Sequence, residues 1–218
     1  MISKLIEELE KNRDNHNAIQ MEKYMRNLFP FLGIKTPDRK KISTEFFKDL
    51  ELNKKPFQVD LVLDLWEMKE REYQYIALDY MDRNLSKIEL EHTDLFQTLI
   101  TTKSWWDTVD MLAQKPVGQL VRQHPEIIAN KINKWSTDEN IWLKRTAILF
   151  QLKYKEDTNE DLLYTYIKRN VDSKEFFIQK AIGWALREYS KTNPTSVQEF
   201  IKSHELAKLS IREGSKYL

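Results

Sequence analysis

Composition, the spacing of apolar residues and the lack of strand-like alternation point to an all-α fold. Only 4 Gly and 6 Pro occur in 218 residues, against 32% charged and 41% hydrophobic residues. That composition is poor in the turn-forming residues that a fold of many short strands needs. Apolar residues recur three and four apart in segments of about 10 to 18 residues joined by short polar breaks, the spacing that gathers them on one face of a helix. No run alternates apolar and polar between turn dipeptides as a half-buried strand does.

Taken in order, Leu5, Ile6 and Leu9 mark a first helix, and a polar break follows at residues 12–17. Ile19, Met21, Tyr24, Met25, Leu28 and Phe29 predict a second, ended by residues 29–33 (FPFLG). Thr36-Pro37 reads as a threonine cap with proline at the first helical position. The helix it opens carries Ile42, Phe46, Phe47 and Leu50 and stops before Pro56. Further helices are expected near 57–68, 70–82, 90–101, 104–113, 116–123, 125–135, 138–154, 159–170, 173–191 and 194–203, with one more closing the chain. Ser104 reads as the N-cap of its helix and Asp107, three residues on, as the partner in a capping pattern. No linker or low-complexity stretch divides residues 1–218, so a single domain is expected.

Beneath this runs a weak repeat. Tyr73, Trp105, Trp142 and Phe177 are 32, 37 and 35 residues apart, and each precedes a small or β-branched core position. Two helices per unit with a period of this size suit a HEAT-like α-α superhelix, a solenoid whose stacked helix pairs leave a concave inner surface. The aromatic that opens each repeat is then a core residue between helices, Trp105 included.

Composition also narrows the function classes. There is no Cys, which removes disulfide frameworks and thiolate metal sites. The N-terminus turns acidic before a signal-peptide core can form, and no apolar run approaches the ~20 residues of a membrane span. A cytoplasmic location and no membrane contact are expected. The net charge is only +1, but it is uneven: residues 103–155 hold 9 Lys/Arg against 5 Asp/Glu, whereas residues 1–102 hold 16 against 19. Phosphate attraction depends on a local patch, so nucleic acid stays open as a partner, as does ordinary surface variation.

No glycine-rich phosphate loop, nucleophile elbow or metal-spaced cluster occurs, and His16, His92, His124 and His204 are scattered. An enzyme built from this chain works with carboxylate, aromatic and basic side chains, without metal or cofactor. Hydrolysis of an N-glycosidic bond suits that toolkit. Positive charge develops on the sugar, where a carboxylate stabilises it and orients water, and indole faces add attraction. A purine already cationic through alkylation leaves without a general acid. Trp106 and Asp110 stand four apart on one helical face, an aromatic beside a carboxylate that the capping pattern does not explain.

Residues 102–110 (TKSWWDTVD), 138–155 (DENIWLKRTAILFQLKYK) and 173–189 (SKEFFIQKAIGWALREY), with Tyr24-Met25 and residues 31–37 (FLGIKTP), resemble the DNA alkylation repair family of AlkD-type glycosylases over nearly the whole chain. The resemblance implies a HEAT-like superhelix that holds duplex DNA in a basic concave groove. It also implies excision of N3- and N7-alkylated purines such as 3-methyladenine and 7-methylguanine, in base excision repair, by a monomer. Carried over by position, the catalytic carboxylate falls on Asp110, the two groove tryptophans on Trp106 and Trp184, the phosphate-holding arginine on Arg145, and a backbone-contacting tyrosine on Tyr24. Lys103, Lys144, Lys153, Lys180 and Arg187 are further candidates for phosphate contact.

By residue type alone, Trp106 and Trp184 read as core aromatics, Asp110 as a surface charge or cap partner, and Arg145 as half of a surface ion pair. A HEAT-like module that binds branched or damaged DNA without cutting it, and a protein-binding scaffold, are the alternatives to the enzyme.

Overall fold

The computed structural model describes residues 2–218, and no strand occurs among them. The chain forms two compact units that divide between Ile88 and Glu89. The first holds α1 (Ser3–Lys11), α2 (Asn15–Tyr24), α3 (Thr36–Asp49), α4 (Val59–Glu67) and α5 (Arg71–Arg83). Within it α3 packs against both α1 and α5, and α4 against α5.

Local chemistry sets these elements. Leu5 and Leu9, four apart, are the buried residues of α1. Asp14 caps α2 by accepting from the Asn17 amide at 3.0 Å. That helix ends at Tyr24, five residues before the expected Phe29, because Arg26 and Asn27 both turn left-handed at φ 57°. The following stretch is held from below by Glu72, in the first turn of α5. Its buried carboxylate accepts from the amides of Leu32, Gly33 and Ile34 at 3.0, 2.8 and 3.2 Å. Burial pushes the Glu72 carboxyl up, against the pull of those amides. Gly33 is obligatory there: φ is +84°, and a Cβ would stand 1.9 Å from the Asp14 carbonyl oxygen. The expected threonine cap is displaced by one residue. Lys35 is the extended cap, Thr36 is already helical, and no side chain caps the helix.

The second unit holds α6 (Thr93–Thr101), α7 (Trp106–Leu112), α8 (Gly118–Gln123), α9 (Asn133–Trp135), α10 (Ile141–Leu149), α11 (Glu160–Lys168), α12 (Phe176–Tyr189), α13 (Pro194–Ser203) and α14 (Lys208–Gly214). Here α10 packs against α7 and α12, and α12 against α14, so successive repeats stack side by side. The expected break before Pro116 does not occur. Helix continues from Trp106 to Gln123 through a wide π-type turn, Ala113–Val117, whose longer spacing accommodates the missing proline N–H. A second such turn, Ile128–Ile132, leads into α9. The helix expected over 138–154 is shorter: Asn140 caps α10 through the Trp142 amide at 2.9 Å, and α10 ends at Leu149. Asn159 and Asn193 cap α11 and α13 in the same way.

The repeat aromatics meet as the period implies. Trp105, Trp142 and Phe177 form a triangle with centroids 5.7, 4.9 and 5.0 Å apart. All three are half-buried rather than sealed in the core, whereas Tyr73 of the first unit is fully buried.

Candidate active site

Three neighbouring helices of the second unit, α7, α10 and α12, build the site. The chain enters α7 through Lys103, left-handed at φ 48°, and Trp105, extended at φ −159° and ψ 164°, so Trp106 is the first helical residue. Ser104 does not cap α7. Its hydroxyl donates to the Ile100 carbonyl at 2.6 Å and so completes the end of α6, and no side chain caps α7. Asp107 remains in the first turn, where its charge complements the helix N-terminus.

One turn further, Asp110 faces α10 and meets Arg145 as a fork. Nε donates to Oδ1 at 2.6 Å and Nη2 to Oδ2 at 2.8 Å. Nη1 donates to the Phe177 carbonyl at the start of α12, which ties the third helix to the pair. Asp110 is 7% exposed and Arg145 4%. Burial pushes the Asp110 carboxyl up. The Arg145 guanidinium pulls it back by hydrogen bond and charge, and Asp107 adds a smaller upward push. Bidentate recognition favours the ionised carboxylate, and each oxygen keeps lone pairs beyond those the fork uses. Arg145 has five N–H donors and places three of them here, which leaves two.

Trp106 and Trp184 are both half-buried. Trp106 lies one turn before Asp110 on the same face of α7, and Trp184 lies two turns after Phe177 on α12, sharing its stripe with Lys180 and Arg187. The structure thus joins Asp110 and Arg145 directly and sets Trp106 and Trp184 on the helices that carry or adjoin that pair. Arg145 is indeed an ion-pair partner, but a buried one.

Tyr24 belongs to the first unit, where it ends α2 with 72% exposure. Among the remaining cations, Lys103 and Lys144 are half-buried and Lys153 is exposed in the turn after α10. Lys180 and Arg187 pair with Glu213 of α14 at 3.2 and 3.4 Å. Glu213, which no motif in the sequence singles out, also pairs with Lys216 at 2.7 Å and Arg212 at 3.7 Å. Arg212 and Lys216, one and three residues away, are its local signals, whereas Lys180 and Arg187 reach it from α12. Among the described residues no group of three His, Asp or Glu side chains could hold a metal ion, and no helix is long and apolar enough to cross a membrane.

No curated protein matches the chain. A solved structure of a predicted DNA alkylation repair enzyme from Enterococcus faecalis is similar to it, with a TM-score of 0.87 and 38% sequence identity over 94% of this chain and 96% of that one. A family model described as DNA alkylation repair enzyme matches residues 5–218. With the match spanning nearly every residue, the two units and the Asp110–Arg145 pair included, the chain belongs to the DNA alkylation repair enzyme family.

Proposed function

We propose that the protein is a DNA glycosylase that removes cationic N3- and N7-alkylated purines from duplex DNA by hydrolysing the N-glycosidic bond. The observation that carries this reading is the Asp110 carboxylate, buried and oriented by a two-toothed arginine fork one turn from Trp106. A carboxylate so fixed cannot reorganise when charge appears beside it, which is the condition for strong electrostatic stabilisation of a transition state.

The C1′–N bond breaks with its electron pair leaving on the purine, which neutralises the base. The sugar becomes an oxocarbenium ion, and Asp110 offsets that charge with the lone pairs the fork leaves open. Water then adds to C1′, and its proton passes to Asp110 or to solvent. Trp106 and Trp184 pack their electron-rich faces against the cationic nucleotide. Arg145 reaches the phosphate beside the lesion with its two remaining N–H groups, and Tyr24 and the basic residues of α10 and α12 contact the backbone. The reaction needs neither metal nor cofactor, because the leaving group already carries the charge an acid would otherwise supply. One copy of the chain provides every group named.

The test is release of free 7-methylguanine from methylated duplex DNA. Wild type releases it, and Asp110→Asn, which keeps the shape but loses the charge, does so at least about 100-fold more slowly. A folded wild type that binds duplex DNA and releases nothing would leave a non-cutting DNA-binding module in its place. Equal release by both proteins would remove Asp110 from the chemistry.

A further inference from the structure

The last α-helix and the turn after it add Arg212 and Lys216 to the α12 cations Lys180 and Arg187, around a carboxylate, Glu213, to which the chemistry gives no role. Glu213 of α14 is 7% exposed, and its carboxylate lies within 4 Å of four cations: Lys180 at 3.2 Å and Arg187 at 3.4 Å from α12, and Arg212 at 3.7 Å and Lys216 at 2.7 Å from its own stretch of chain. Four positive charges around one negative charge leave an excess of three. The cations are not sealed in: their side chains are 37%, 25%, 71% and 47% exposed, against 10% for the glutamate. The anion is the covered member of the cluster and the cations are its open face.

The backbone favours that layout. Gly183, between Lys180 and Arg187 on α12, lets α14 approach so closely that a Cβ at residue 183 would stand 2.6 Å from the Glu213 Cβ and 3.0 Å from the Ser210 carbonyl oxygen. The Ser210 hydroxyl donates across the same contact to the Gln179 carbonyl at 2.8 Å. Two helices pressed together in this way bring the Lys180–Arg187 stripe, which Trp184 shares, against the carboxylate. The surrounding cations hold the Glu213 carboxyl down at about 2, so it stays ionised wherever they are charged.

We propose that Lys180, Arg187, Arg212 and Lys216 form a binding site for a phosphodiester of the DNA backbone, with Glu213 as the positioning residue that holds the four cations on one focus. Three unit charges in excess at one focus suit a singly charged, oxygen-rich diester, and the guanidinium forks suit its paired oxygens. The site extends the DNA-contacting surface from α12 onto α14. It rests on the reading of the protein as one that binds duplex DNA.

The experiment is equilibrium binding of the full chain to undamaged duplex DNA across a salt series, with thermal melts to establish folding. Arg212→Ala and Lys216→Ala lie on the exposed side of the cluster. Each is expected to weaken binding about 3- to 10-fold and to make the slope of log K against log salt shallower by about 0.9, one phosphate contact. Glu213→Gln decides the positioning role by its sign. It removes a negative charge, so attraction by net charge alone would tighten binding, whereas a lost organiser weakens it. Unchanged affinity and slope in Arg212→Ala and Lys216→Ala, or tighter binding by folded Glu213→Gln, would overturn the proposal while leaving a DNA-binding wild type intact. A wild type that binds no duplex at all would instead remove the DNA reading itself and this site with it.

Discussion

Arg145 commits three of its five N–H groups inside the protein, two to Asp110 and one to the Phe177 carbonyl, and is 4% exposed. Removing one partner of such a pair leaves an uncompensated buried charge, so Arg145→Ala is expected to cost about 3–5 kcal/mol in urea unfolding, far more than an exposed ion pair is worth. Arg145→Lys keeps the charge but not the fork. It is expected to lower 7-methylguanine release about 10-fold or more with a smaller loss of stability, because a lysine cannot hold both carboxylate oxygens in plane. Glu213 supplies a pH test. Its folded value of about 2 lies below the ordinary 4.5, so its stabilising contribution is complete above about pH 4.5 and is lost as pH falls toward about 2. The stability gap between wild type and Glu213→Gln, measured in urea at a series of pH values, should therefore be widest near neutrality and narrow steadily below about pH 4.5. Asp110 and Glu72 shift the other way, upward by burial, and favour the folded state at low pH. The wild-type curve alone would mix the two signs, and the difference between the two proteins isolates one.

At the scale of the element, the contact of α12 with α14 is set by the absence of a side chain. Gly183→Ala would press a methyl group into Glu213 and Ser210, and the helices must separate to admit it. The expected cost is about 1–3 kcal/mol in thermal or urea unfolding. If the phosphodiester site is as proposed, the same variant also weakens DNA binding, since Lys180 and Arg187 are drawn off the carboxylate. Helix order and most helix positions are legible in the sequence, because apolar spacing carries them directly. Boundaries are less so. Ser104 has the residue type and spacing of a cap, yet its hydroxyl is taken by Ile100 of the preceding helix. Pro116 looks like a stop, yet a single wide turn carries the helix past it. In each case the local preference is real and is outweighed by a neighbour or by a backbone alternative of similar energy.

For the molecule as a whole, a net charge of +1 gives little general attraction to DNA. Under the proposed function, attraction to DNA rests on local groups, the excess of cations around Glu213 and the basic stretch near α10. Duplex affinity should therefore fall linearly on a log–log plot with salt, with a slope that counts the phosphates contacted. A protein-binding scaffold built on the same helices would show no such slope. This measurement needs no lesion and no turnover, so it separates binding from chemistry.

Helicity, the recurrence of aromatics about every 35 residues, and the helical face that Asp110 shares with Trp106 are legible in the chain before it folds. Each of these is a matter of composition or of spacing along a chain whose local geometry is regular. What those residues meet is set by the packing of one helix on another. That Arg145 grips Asp110 as a fork, that Phe177 contributes a carbonyl, and that Glu213 gathers cations from two helices depend on contacts between residues 26 to 35 positions apart. No spacing rule reaches across a turn between packed helices, because the helix period sets direction within an element and packing alone sets the partner.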